Sequence, residues 1–147
     1  MEQTHNSTKL TDLAEGSQPM LKSLWLRFVP LYLREGTVLE GGIDLMNGLY
    51  FLVDGKAELH FQLHEPAEMH VKYNSGSMPG SFLLLHPQNA GACHFHITEN
   101  SSLLFIEKSA CFQLMANSPE FAMMVLEQAS AELNSIKLIT KLQTQVN

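Results

Sequence analysis

Basic residues and cysteines are scarce in this sequence. Nine Lys and Arg stand against 15 Asp and Glu, which gives a formal net charge of −6. The basic residues are scattered, and this argues against a nucleic-acid-binding surface, which requires clustered cations. The two cysteines, Cys93 and Cys111, are predicted to be buried reduced thiols, as in a reducing compartment. Iron–sulfur centres normally require four thiolates, so a chain with two cysteines is not expected to bind an iron–sulfur cluster.

Long hydrophobic runs are also absent. The longest apolar stretches, Leu49 to Val53 and Phe82 to Leu85, are far shorter than the roughly 20 residues of a membrane helix. The polar N-terminus lacks the basic start and apolar stretch of a signal peptide. We therefore expect a soluble, cytoplasmic chain with a flexible tail over residues 1–16 and one domain over residues 17–147.

The middle of the chain shows the two-residue period of strands. Ala57 to His64 alternates apolar and polar residues, which predicts a strand with one solvent-facing side. Asp54-Gly55, between this segment and Leu49–Val53, predicts a tight hairpin. Leu103 to Ile106 predicts a late strand. Several short strands at such intervals indicate a mainly β protein with an antiparallel jelly-roll β-barrel, over about residues 31–108.

Helices are predicted on both sides of this roll. Ser17-Gln18-Pro19 combines a capping residue with an early Pro, which predicts the start of an N-terminal helix. Ser118-Pro119-Glu120 predicts the start of a long C-terminal helix that ends near Val146. We expect the C-terminal helices to cover about residues 109–146.

Charge is missing altogether between Tyr73 and Thr98, a segment without Asp, Glu, Lys or Arg. It contains Gly76-Ser77-Met78-Pro79-Gly80-Ser81-Phe82, followed later by Asn89-Ala90-Gly91-Ala92. This layout resembles the phosphate-binding cassette of cyclic-nucleotide-binding domains, the superfamily of the CRP/FNR-type sensor domains. Tyr32 to Gly42 and Leu49 to Lys56 resemble the opening strands and hairpin of the same family. The resemblance covers roughly Met20 to Leu133 and implies the same fold class, a jelly roll flanked by helices.

The ligand residues of the family are missing from this cassette. A Glu directly after the second Gly and an Arg nine residues later are replaced by Ser81 and Ala90. A charge-assisted hydrogen bond of the kind that Arg makes is worth about 1.5–3 kcal/mol, so its loss weakens phosphate binding roughly ten- to hundredfold. The amides of Gly80, Ser81 and Phe82 could still face an anion. Because the pocket lacks a fixed cation, however, we expect it to bind no anion.

The resemblance thus implies a degenerate ligand pocket that has lost cyclic-nucleotide binding. Its predicted residues are Gly76, Gly80, Ser81, Phe82, Asn89, Ala90, Gly91 and Ala92.

Histidines give a weak signal for a metal site. His94 and His96 lie on one side of a predicted strand, near Glu99, and imidazole is a good ligand for divalent ions. Cupins, another jelly-roll family, use His-x-His with a Glu, but here Glu99 comes one residue too early and no second motif follows. We therefore interpret both histidines, and His60 on its own strand, as solvent-facing, and we expect no metal and no cofactor.

Catalytic motifs are absent from the sequence. Gly80-Ser81-Phe82 does not form a Gly-x-Ser-x-Gly elbow, and the Gly-rich segment lacks the Lys of a P-loop. No pair of carboxylates at catalytic spacing can be named. These observations favour a non-catalytic protein.

The favoured hypothesis is a regulatory or protein-interaction module. Leu24 to Pro30, Arg34 to Leu39 and Asn47 to Phe51 are similar to the tail of sulfate-permease-type anion transporters. One form of the hypothesis is therefore the cytosolic part of a larger membrane protein, whose other parts would be its partner. The alternative is a small-molecule sensor with an altered ligand, and a cupin-like metal-dependent enzyme comes third.

The last helix allows two interpretations. In dimeric regulators of the family that this sequence resembles, the equivalent helix forms the subunit contact, so the resemblance implies a homodimer. The apolar spacing of the helix fits packing on the roll equally well. The apolar residues at three- and four-residue spacing are Leu133, Ile136, Ile139, Leu142 and Val146.

Overall fold

One five-stranded antiparallel sheet carries the fold. The computed structural model describes residues 10–16, 19–42, 44–64, 67–86 and 93–146. The strands of this sheet are β1 (Val29–Leu33), β2 (Val38–Glu40), β3 (Gly48–His64), β4 (Ala67–Asn74) and β5 (Cys93–Glu107). The strand order is β1-β5-β3-β4, and β2 also pairs with β5. The predicted antiparallel, jelly-roll-like class with flanking helices is confirmed, but in the described part of the chain the sheet is not closed into a barrel.

Helices precede, interrupt and follow the sheet. The C-terminal helix begins as predicted, with the N–H of Phe121 donating to Ser118 Oγ at 3.3 Å. The predicted flexible tail covered residues 1–16, but residues 10–15 of it form a helix. Leu10 in this helix is buried against other apolar side chains. The helices are α1 (residues 10–15), α2 (Pro19–Trp25), α3 (Phe82–Leu85), α4 (Lys108–Asn117) and α5 (Pro119–Val146).

The hairpin predicted at Asp54-Gly55 is wrong. β3 runs through both residues, and its register with β5 shifts between Leu52 and Ala57 instead. Gly55 has φ +122°, and a Cβ there would lie 2.6 Å from the Cβ of Ser101. A glycine of positive φ is the signal for a turn, but it equally permits a bulge within a long strand when a partner strand continues the pairing.

Two apolar clusters lie on opposite faces of the first half of β3. Tyr50 and Leu52 belong to a cluster inside the roll, whereas Leu49 and Phe51 belong to a second cluster with α4 and α5. Burial on both faces explains the continuous apolar run of this segment. The second half of β3 has one buried face only, and there the sequence alternates.

Both cysteines are buried and neither forms a disulfide.

Helix α5 packs on the roll with part of its predicted apolar stripe. Ile136 is buried in the cluster inside the roll, and Leu133 packs against that cluster. The side chains of Ile139, Leu142 and Val146 lie outside the described residues. Among the helices of the described chain, none combines the length and apolar character needed to cross a bilayer.

Candidate functional site

The first half of the cassette is a turn built on two glycines. Gly76 and Gly80 have φ of +93° and +75°, conformations that residues with a Cβ rarely adopt. The N–H of Gly76 donates to the carbonyl of Leu52 at 2.7 Å, and the N–H of Leu52 donates to the carbonyl of Ser77 at 2.9 Å. These bonds fix the turn against β3. The chain then enters the short helix α3.

The carboxylate of Glu132, on α5, lies against these amides. Its Oε2 accepts hydrogen bonds from the Gly80 N–H at 2.8 Å and from the Tyr73 hydroxyl at 2.5 Å. Its Oε1 accepts from the Phe82 N–H at 3.1 Å and from the Ser81 hydroxyl. Each carboxylate oxygen therefore has two donors, and Glu132 is only 5% exposed. We call these four donors, which hold the carboxylate, the Glu132 cradle.

Burial, charge and hydrogen bonding shift the pKa values of Glu132, Tyr73 and Cys93. Burial raises the pKa of Glu132, while the hydrogen bonds from Ser81, Tyr73 and the two amides act in the opposite direction. Burial, and then the Glu132 charge, raise the pKa of Tyr73 well above its ordinary value, so its hydroxyl remains a donor. Burial and the Glu132 charge also raise the pKa of Cys93 to about 12.

The structure brings part of the predicted pocket together. Gly80, Ser81 and Phe82 supply donors of the cradle, and Gly76 shapes the turn that presents them. The remaining predicted residues, Asn89, Ala90, Gly91 and Ala92, lie outside the described residues.

The expectation that the pocket holds no ligand anion stays a prediction. The side chain of Glu132 occupies the cassette donors, and sequence reasoning missed both Glu132 and Tyr73. One signal for Glu132 existed in the sequence. It falls on the same helical stripe as Val125, Ala129 and Ile136, all of which are buried. An acid on an apolar stripe must find buried donors, and the cassette supplies them.

The weak metal candidates and their supposed third ligand make contacts with different residues. Nδ1 of His94 lies 2.7 Å from a carboxylate oxygen of Glu40, on β2. Glu99 instead pairs with Lys56 at 3.5 Å. His96 stacks on a histidine of β3. As predicted, both His94 and His96 are on the face opposite the buried Cys93, Phe95 and Ile97.

Comparison with solved structures identifies the fold class as that of the sensor domains of CRP/FNR-type regulators, which is the cyclic-nucleotide-binding-domain fold. The Thermus thermophilus catabolite activator protein superposes with a TM-score of 0.66 at 19% identity, over 90% of this chain and 62% of that one. The sensor domain of the Pseudomonas aeruginosa regulator DNR matches with a TM-score of 0.64 at 16% identity, over 92% and 93%.

A third similar structure is that of the c-di-GMP-responsive regulator CLP of Xanthomonas campestris, with a TM-score of 0.64 at 16% identity, over 87% of this chain and 63% of that one. This chain thus spans less than two thirds of the length of two of these three proteins. At such identities the likeness establishes the fold alone. No protein-family model and no curated protein matches the sequence.

Proposed function

We propose that this chain is a non-catalytic regulatory or protein-interaction module in which Glu132 takes the place of a ligand phosphate. The observation that carries the proposal is the pairing of both carboxylate oxygens with cassette donors, two on each oxygen. A cyclic phosphate would need the same amides. The module is thereby held in one state by its own helix, without a nucleotide.

Electrostatic repulsion also argues against the binding of a cyclic nucleotide at these donors. An ionised Glu132 about 4 Å from a phosphate would repel it by about 4 kcal/mol at the effective dielectric typical of proteins. A protonated Glu132 would still fill the same space beside the four donors, so a phosphate and this side chain cannot share the cradle. The segment from Tyr73 to Thr98 offers no Lys or Arg to offset that repulsion. A ligand would have to displace Glu132 and leave its charge buried without donors.

The role that follows is the presentation of a surface to a protein partner. The fold is one that regulators use, and the sequence likeness to sulfate-permease-type tails favours attachment to a membrane transporter, on its cytoplasmic side. A homodimer through the end of α5 belongs to the same proposal, since Ile139, Leu142 and Val146 continue the apolar spacing beyond Ile136. Sensing of an altered small molecule is the competing function, and binding measurements separate the two.

The first experiment is titration calorimetry of the wild-type chain with cAMP, cGMP and c-di-GMP. We expect no binding heat from any of them, because the cradle is occupied. Micromolar binding to the wild-type chain would contradict the proposal and support the sensor. Glu127→Ala, which removes an exposed acid from the same helix, is the net-charge control for the Glu132→Ala variant of the second experiment.

The second experiment empties the cradle. In Glu132→Ala, acetate should raise the melting temperature more than chloride does at equal ionic strength, because a small carboxylate can enter the vacated cradle. The wild-type chain and Glu127→Ala should respond equally to both salts. Equal responses to the two salts in Glu132→Ala would show that the cassette donors do not form an anion site.

A further inference from the structure

Four histidines and two glutamates occupy one face of the sheet. Across the strands β4, β3, β5 and β2, one row of directly paired residues reads His70, His60, His94 and Glu40. Directly paired residues of antiparallel strands project from the same face. The neighbouring row contains Lys72, Glu58, His96 and Val38. This face is separate from the Glu132 cradle and has no part in the function proposed above.

Three of these side chains converge on one point. Oε1 of Glu58 lies 3.1 Å from Nε2 of His60 and 3.2 Å from Nδ1 of His70. The three potential ligand atoms all lie within 4.8 Å of one another. Glu58 and His60 are 21% and 19% exposed, whereas His70 is 46% exposed. The cluster is thus fixed on β3 and open to solvent at β4.

We propose that Glu58, His60 and His70 form a binding site for a divalent transition metal ion, with zinc as the best-fitting ion. In a tetrahedral site with bonds of about 2.0–2.2 Å, neighbouring ligand atoms are about 3.3–3.6 Å apart. The two contacts to Glu58 Oε1 are already close to that separation. Two imidazoles and one carboxylate are a ligand set that zinc uses when it keeps its fourth position for water.

Binding requires a specific change in the histidine rings. His60 and His70 stack with their centroids 3.9 Å apart and their planes 6° apart, and His96 stacks on the other side of His60 at 3.8 Å. The lone pair of an imidazole nitrogen lies in the ring plane, so two parallel rings cannot both direct their lone pairs at one ion. Coordination must tilt His60 against His70. An ion held only by surface charge would leave the stack intact.

The test uses the full chain, freed of metal by chelation. Calorimetry with Zn²⁺ should give one bound ion per chain, and Co²⁺ should produce the visible absorption of a site with four or five ligands. Zn²⁺ should also shift the imidazole NMR signals of His60 and His70. His70→Ala and Glu58→Gln should each lower the affinity by at least about tenfold, a loss that removal of even an outer-shell partner causes.

His94→Ala is the matched control. His94 belongs to the same cross-strand row as His70 and is also 46% exposed, but it is held by Glu40. The His94→Ala variant should bind Zn²⁺ with the same affinity as the wild type. Equal losses in His94→Ala and His70→Ala would overturn the proposal in favour of general histidine affinity. Failure of the wild-type chain to bind Zn²⁺ would overturn it as well. His70 is chosen over the more deeply buried His60 because replacing His70 leaves the stack of His60 with His96 in place.

Discussion

Replacing Glu132 with Gln changes one buried atom and nothing in the size of the side chain. The carboxylate accepts from two amides and two hydroxyls. The hydroxyls of Tyr73 and Ser81 can turn and accept from the new NH₂ group. The N–H of Gly80 or of Phe82 cannot turn, and it loses its acceptor. A buried donor without a partner costs about 1–3 kcal/mol, which is the expected loss of unfolding free energy.

Urea unfolding measures this loss. The single Trp, Trp25, is buried beside Phe121 of α5 and provides a fluorescence signal. Glu127→Gln makes the same substitution on an exposed position of α5 and should change the unfolding free energy by less than about 0.5 kcal/mol. A Glu132→Gln variant as stable as Glu127→Gln would refute the cradle.

The pH dependence sharpens the same experiment. Burial raises the pKa of Glu132, so the folded chain holds this proton more tightly than the unfolded chain does. The contribution of Glu132 to stability is therefore full at low pH and is lost as pH rises through the raised pKa. The advantage of wild type over Glu132→Gln should be larger at about pH 5 than at about pH 8, and the opposite trend would contradict the assignment.

Two further predictions concern the strand bulge and the thiols. Gly55→Ala places a Cβ against Ser101 at a φ of +122° and should lower the free energy of unfolding more than Gly36→Ala, where φ is +93° and nothing lies within 4 Å of the added Cβ. Urea unfolding midpoints compare the two variants. Equal losses of stability would contradict the bulge. Burial raises the pKa of both Cys93 and Cys111 to about 12, so both thiols should resist a thiol-specific reagent at about pH 8 until urea unfolds the chain. Rapid labelling of either in the folded chain would contradict its burial.

Local patterns predicted the elements that depend on neighbouring residues. The alternation from Ala57 to His64 corresponds to the half of β3 with one buried face, and Ser118 caps α5 as expected. The hairpin prediction failed at Asp54-Gly55 because a positive φ serves a turn and a bulge equally well. Only the pairing of β3 with β5 selects between them.

The sequence by itself determined the lack of charged residues within the cassette segment, the alternation in the second half of β3 and the start of α5. Each depends on composition, side-chain periodicity or capping within a short stretch of the chain. The tertiary structure alone decided what the cassette holds, because Glu132 reaches Ser81 across 51 positions of the chain only when α5 docks on the roll. It also decided that Glu58, His60 and His70 meet, since strand register, which is set by pairing between strands, brings them together.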